Sequence, residues 1–409
     1  MVADLIKSEL KNLKSPLYRN SLYITLAMFT TAVTSFVFWN VASRVYSPAD
    51  VGVASSLVSI LNLIFGVSML GLNTALIRFY PEYGERAIGS ALVVSASFAF
   101  IVSGAYVLIV RNSENFSEVF SLEFTLAFIA LSAIGTASNI LGTAAIAMRK
   151  ANHRFIQNVL FGLRFVLLYF LVSLGVSGII GSFGLGLLFG LVHVGLVLKD
   201  HITLSVDREY LSSAFRFSLG NYIANISDTA PNYLMPSIVL TMLSKEEAAY
   251  FFIAFAMGNL LLIVPNSINM SFFVEGSHGL ANMKRVLKKA IIFSYAYLAA
   301  VSIFVWFFGK FILAFFGPEY VRGLDLLRIV TLSGFLVVVV NFYVTILNVQ
   351  KRVREVATIY ILKAILFLGL SYLLVPMFGI VGVGYGWTGT YLFVLAVILV
   401  INTIRLHFL

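Results

Sequence analysis

The sequence predicts an all-α polytopic membrane protein, with twelve transmembrane helices in two six-helix bundles. Three observations support this. Hydrophobic residues make up 60% of the 409 and charged residues only 11%, against roughly 25% charged in a soluble domain. Uncharged runs longer than the roughly 20 residues that span a bilayer as helix recur along the chain, four of them in succession at 20–43, 51–77, 87–110 and 124–148. Turn motifs of the first half also return in the same order in the second.

Charges, Pro/Gly clusters and turn signals place the helices near 18–43, 51–77, 87–110, 123–147, 154–174, 178–198, 214–241, 248–274, 288–309, 325–348, 355–375 and 380–404. The opening MVADLIKSELKNLKSPL sets Val2, Leu5, Ile6, Leu10 and Leu13 at helical spacing beside Lys7, Lys11 and Lys14. That pattern suits a helix lying in the membrane interface, though a solvated tail is the plain alternative. The run at 20–43 is too long for a signal peptide, and no small-residue cleavage pattern follows it. The expected organisation is an interfacial segment 1–17, a bundle 18–200, a cytoplasmic linker 201–213 and a second bundle 214–409.

The repeat rests on three matches. LVSLGVSGIIGSFG (171–184) aligns with LVPMFGIVGVGYG (374–386), pairing Gly175 with Gly379 and Gly178 with Gly382. AMRKANHR (147–154) aligns with NVQKRVRE (348–355), a basic cluster closing the fourth span of each half. SPADVG (47–52) and SKEEAA (244–249) each open a second span. With an even number of spans per half, both halves enter from the same side. They are then expected to be related by a pseudo-two-fold axis along the membrane normal and to enclose a cavity at their interface.

Orientation follows from the bias of Lys and Arg towards cytoplasmic loops. With the N-terminus in the cytoplasm, twenty Lys and Arg fall on inner segments and six on outer ones (Arg44, Arg111, Lys245, Lys310, Arg322 and Arg328). Both termini are therefore expected to be cytoplasmic, in a cell membrane. The formal charge of +10 is spread over short loops and gathers on no soluble surface, which argues against nucleic acid as a partner. The absence of cysteine excludes thiolate chemistry, and five scattered histidines without HExxH or paired carboxylates argue against a metal site. No loop is long enough for a catalytic domain and no P-loop is present, so the chain reads as a non-enzyme that needs no cofactor beyond a coupling H+ or Na+.

Arg164 and Lys363 are the basic residues inside spans. Arg164 lies ten residues past Arg154 and Lys363 nine past Arg354, roughly 14 Å into the helix. A charge at bilayer depth costs roughly 2.5–3.5 kcal/mol, so such residues usually face a partner or a wet cavity. Lys363 has a flexible stem and could instead snorkel to the interface. Facing a cavity, the pair would suit an anionic solute, above all a phosphate, with paired donors from arginine and a point charge from lysine. Asp228 is the intramembrane acid, in NYIANISDTAPNYLMP. Asn221, Asn225, Asp228 and Asn232 follow a 4-3-4 spacing on one helical stripe. The stripe could handle a cation, a proton or a polar head, or it could pair with Arg164 or Lys363. Arg78, in GLNTALIRFYPEYGER, sits near the cytoplasmic end of the second span.

Four segments carry a family resemblance: SPADVGVASSLVSILNLIFGVSMLGLNTALIRFYPE (47–82), LSKEEAAYFFIAFAMGNLLLIVPNSINMSFF (243–273), GPEYVRGLDLLRIVTLSG (317–334) and VPMFGIVGVGYGW (375–387). In their order the chain resembles Wzx-type lipid-linked oligosaccharide flippases of the multidrug/oligosaccharidyl-lipid/polysaccharide exporter (MOP) superfamily. The resemblance implies alternating access and transfer of a polyisoprenyl-pyrophosphate-linked glycan to the outer leaflet. It also implies a protein functional as a monomer among membrane lipids, with polysaccharide polymerase or assembly proteins as partners. Arg78 matches the family's basic residue at the end of the second span, while Arg164 and Lys363 fit its cationic cavity by position. Asn225 and Asn232 join them as substrate contacts, and Asp228 with Asn221 takes the ion-coupling role. The alternatives are an H+- or Na+-coupled multidrug exporter of the same superfamily and a non-transporting scaffold in a polysaccharide assembly complex.

Overall fold

The computed structural model describes residues 16–111, 116, 119–278 and 283–407. The proposed interfacial helix at 1–15 lies outside them. Every regular element among the described residues is helical. In chain order these are α1 (Pro16–Val45), α2 (Pro48–Ser68), α3 (Leu72–Tyr83), α4 (Glu85–Val110), α5 (Leu122–Ala147), α6 (Ala151–Gly162), α7 (Arg164–Phe170) and α8 (Val176–Leu198). There follow α9 (Arg208–Met242), α10 (Lys245–Leu261), α11 (Ile263–His278), α12 (Met283–Ala314), α13 (Leu324–Val349), α14 (Val353–Phe378) and α15 (Val381–His407).

Among the described residues, nine helical stretches are long and apolar enough to cross a membrane, and the α10–α11 pair, bent by 42°, makes a tenth. The continuous stretch Pro48–Tyr83 counts as one of the nine. Its two helices meet where Leu70 and Gly71 take positive φ. The polar sequences α6–α7 and α9 complete the expected twelve. In α9 charged and amide side chains dilute the apolar signal along a 35-residue helix, whereas α6–α7 is divided at Leu163 into helices of 12 and 7 residues.

The chain divides into two compact units. One takes Leu61–Leu219 with the chain up to Ser47, and the other takes Pro48–Ile60 with Gly220–Leu409. The division falls at residue 219, six residues past the expected bundle start. The beginning of α2 joins the second unit, where a side chain at Gly52 would strike the Lys245 carbonyl that opens α10. In the first unit Leu72, Leu76, Ile88, Ile140, Val194 and Tyr210 pack one buried core.

Residues 202–207, in the expected linker, are strapped to the start of α4. The backbone N–H of Asp207 donates to the Ser90 hydroxyl at 2.8 Å, and Arg86 pairs with Asp207 at 3.0 Å. His201 meets Glu85 at 2.8 Å. Gly89 lets the Thr203 carbonyl approach where any Cβ would collide.

The two units repeat their turns. Gly175 (φ 53°, ψ −129°) and Gly379 (φ 59°, ψ −145°) open the last helix of each half, a conformation that a Cβ strongly disfavours. A Cβ on Gly178 would meet the Leu171 carbonyl, and one on Gly382 the Leu374 carbonyl. The basic clusters match one residue later than the sequence alignment has it. Arg149 and Lys351 both take φ 59°, and α6 and α14 begin two residues after them.

Candidate functional site

The second unit holds a polar cavity of about 180 Å³ between α9, α10, α11, α13, α14 and α15. α9 supplies it despite carrying Pro231 and Pro236 inside the helix. The prolines leave carbonyls unpaired, which membrane helices tolerate where a cavity or protein supplies partners. At its edge the Lys363 ammonium donates to Asp228 Oδ1 at 2.8 Å. The lysine side chain keeps 10% exposure and the aspartate 38%. The rings of Tyr360 and Tyr391 lie 5.1 and 4.9 Å from the ammonium, adding cation–π attraction. Asn341 donates to Asn266 Oδ1 at 3.3 Å along the same cavity.

Of the residues selected from sequence, Asp228, Asn232 and Lys363 meet in this cavity. Asn221 and Asn225 are exposed and do not line it. The four-residue stripe is thus divided along α9. The carboxylate considered for ion coupling already holds an ammonium, which is the ion-pair alternative left open above.

Arg164 lies in the first unit, 2% exposed. Its guanidinium carbon is 3.5 Å from the Phe161 ring centroid, 4.8 Å from Phe38 and 5.2 Å from Phe183. Nη2 donates to the Ser35 hydroxyl at 3.0 Å, while Nε and Nη1 have no hydrogen-bond partner among the described residues. The cation is solvated by aromatic faces and one hydroxyl. Because α6 begins at Ala151 and α14 at Val353, Arg164 lies thirteen residues in and Lys363 ten. The two depths therefore differ by nearly one helical turn, roughly 4.5 Å.

Arg78 is exposed and lines a separate cavity of about 560 Å³ in the first unit. Asn73, Thr74 and Thr143 supply its other polar groups, and Ile77, Pro81, Ile146 and Phe217 its apolar wall. Among the described residues no acidic side chain lines it.

Sequence reasoning passed over a third group. Arg154, counted among the loop charges, donates to Gln157 Oε1 at 3.1 Å and Asn139 Oδ1 at 3.3 Å. Gln157 continues to the Ser138 carbonyl and hydroxyl, both at 2.8 Å. With Asn158, these residues line a cavity of about 150 Å³. His153 and His193 meet nearby at 3.3 Å between ring nitrogens. The available signal was the clustering of His153, Arg154, Gln157 and Asn158 on consecutive turns of a span start. Trp387 and Asn341, both in the second unit's cavity, were also missed, and Asn341 stands out as the amide within VVVVNFYV. Among the described residues no group of three or more His, Cys, Asp or Glu gathers as a metal ion would need.

No protein-family model matches the sequence, and no curated protein matches it. The fold, by contrast, is similar to solved structures. One is an inward-facing multidrug-resistance MATE family transporter of the MOP superfamily, with TM-score 0.72, 16% identity, and coverage of 94% of this chain and 98% of that one. Another is the outward-facing form of such a transporter, with TM-score 0.61, 15% identity, and coverage of 96% and 95%. A third is a MOP superfamily transporter from Pyrococcus furiosus, described as having a binding pocket of reverse polarity that suggests a different function. Its TM-score is 0.59 at 16% identity, with 95% of each chain covered. At such identities the likeness is one of fold. This multi-pass, all-α membrane chain has the fold of MATE transporters.

Proposed function

We propose that this chain is a secondary transporter working by alternating access, and that it carries an anionic lipid-linked glycan from the cytoplasmic to the outer leaflet of a cell membrane. The observation that carries the reading is the Arg78 cavity. A cation beside hydroxyl and amide donors, with an apolar wall and no carboxylate, suits a phosphate joined to a hydrocarbon tail. Moving a pyrophosphate into hydrocarbon strips its hydration at great cost. Charge-assisted hydrogen bonds from arginine replace that shell. The buried Arg164, which has no carboxylate partner among the described residues, raises the positive potential of the same unit. Drive comes from an ion gradient or from consumption of the product outside, and polymerase or assembly proteins are the natural acceptors.

Reconstitution in liposomes tests this. A polyisoprenyl-pyrophosphate-linked disaccharide should become accessible to an external glycan-modifying enzyme only when the protein is present. Arg78→Gln should slow that transfer about tenfold, the loss of one charge-assisted contact of about 1.4 kcal/mol. Unchanged transfer in the variant would remove the phosphate assignment.

A second reading, a cation-coupled exporter of small amphipathic compounds, is favoured by two observations. Asp228 is a carboxylate within a polar intramembrane cavity, and the fold neighbours include multidrug transporters. Transport of a cationic dye with no transfer of the lipid-linked glycan would establish it.

A further inference from the structure

The second unit's cavity has properties that neither a phosphate nor a cationic drug explains. Its ion pair is internally balanced, because Asp228 and Lys363 meet at 2.8 Å. A cation would have to displace the ammonium from the carboxylate, and an anion would have to displace the carboxylate from the ammonium. The cavity therefore discriminates against both signs of charge. Two of its polar atoms lack hydrogen-bond partners among the described residues. Trp387 is 7% exposed, and its indole N–H donates to nothing. Asn232 Oδ1 accepts from nothing. A buried polar group left unpaired costs free energy, so the cavity is finished only when something supplies an acceptor and a donor together.

The walls narrow the choice further. Trp387 forms an aromatic face, in ring contact with Tyr391 and Phe367 at 5.0 Å each. Opposite in character are the amides of Asn259, Asn266 and Asn341. A sugar ring combines an apolar C–H face with hydroxyls that donate and accept at once. The volume of about 180 Å³ corresponds to about six waters at their liquid volume, the space of a single hexose ring.

We propose that this cavity is a subsite for a single uncharged sugar ring, with Trp387 packing against its face, the indole N–H and Asn232 bonding its hydroxyls, and the Asp228–Lys363 pair excluding charged ligands. This deepens the glycan reading and rests on it for biological meaning, while the binding chemistry stands on the cavity itself.

The test uses the full chain in detergent and free glucose, galactose and N-acetylglucosamine, read by saturation-transfer NMR. At least one sugar receives saturation from the protein, with millimolar affinity, as befits a small ligand. Trp387→Phe keeps the aromatic face and removes the N–H, and Asn232→Ala removes the acceptor. Each weakens binding about fivefold. Should the tryptophan variant fail to fold, the asparagine variant carries the test. Neither ethidium nor inorganic phosphate displaces the sugar. The proposal is overturned if no sugar is contacted (a cavity holding water only), if both variants bind as the parent does, or if ethidium or phosphate competes. Failure of the cargo reading looks different: sugar binds in detergent, yet liposomes show no transfer of the lipid-linked glycan. Transfer without sugar binding would remove the subsite alone.

Discussion

In the second unit the intramembrane lysine faces a carboxylate 2.8 Å away. The intramembrane arginine of the first unit faces three aromatic rings and a serine. The two units share their turn conformations, but the first breaks its fifth span at Leu163, directly before Arg164, where α14 runs unbroken from Val353 to Phe378, so backbone and side chains both differ there. The difference shows two ways of holding a cation away from water. An ion pair cancels the field and leaves a neutral cavity beside it. An aromatic cage supports the ion but leaves its charge uncancelled, so the first unit keeps a positive potential.

The sharpest way to break this comparison is to unbalance the pair. Asp228→Asn leaves the Lys363 ammonium, with its 10%-exposed side chain, without its counter-charge. Losing one partner of a fully buried pair costs about 3–5 kcal/mol. The 38% exposure of Asp228 reduces that to about 2–3 kcal/mol through solvent screening. Lys363→Met should cost less, about 1 kcal/mol, because the more exposed carboxylate can take water. The double variant should resemble Lys363→Met, a coupling that thermal unfolding in detergent reads through a double-mutant cycle. Additive losses would mean that the two groups are independent.

The next effect tests the shared backbone. Gly175→Ala and Gly379→Ala each place a Cβ in a region that costs about 1–3 kcal/mol for other residues. Similar losses of thermal stability are expected in both units. A loss confined to one would show that the matched turns carry different loads.

The repeat was legible because it is written in residues that backbone geometry requires. Glycine at 175 and 379 answers a positive φ, and glycine at 178 and 382 a close approach to a carbonyl. The spans were legible for a similar reason, since bilayer thickness fixes their length. The site was only partly so. Helical spacing placed Asp228 and Asn232 on one stripe, but it could not show that the cavity closes before Asn225 and Asn221. Nor could it select Lys363 over Arg164 as the partner of Asp228, because that depends on which helices pack together. Arg154 was hidden by its place in a basic cluster, where the charge itself suggested a loop. Trp387 carried no signal, since its significance lies in an unpaired N–H that only packing creates.

A smaller effect separates cage from contact in the first unit. Arg164→Met replaces the cation with an apolar side chain of similar length among Phe38, Phe161 and Phe183. Apolar replacement of a buried ion is often neutral or stabilising, so thermal stability should stay within about 1 kcal/mol of the parent. Arg164→Ala, which empties the cage, should lose about 2 kcal/mol. If the methionine variant folds as the parent does and still slows glycan transfer, the arginine acts through its charge. Unchanged transfer would make it a packing residue.

The smallest effect concerns the far end of the α9 stripe. Asn221→Ala and Asn225→Ala remove exposed amides that do not line the cavity, and surface changes of this kind usually stay within about 0.5 kcal/mol. Sugar binding in detergent should be unchanged in both, and transfer should remain within about twofold. A large loss of transfer with binding intact would place these amides on the route of the cargo rather than at its resting site. Their contribution would then arise in a conformation that differs from the one described, and the stripe would work as a unit during movement although it is divided at rest.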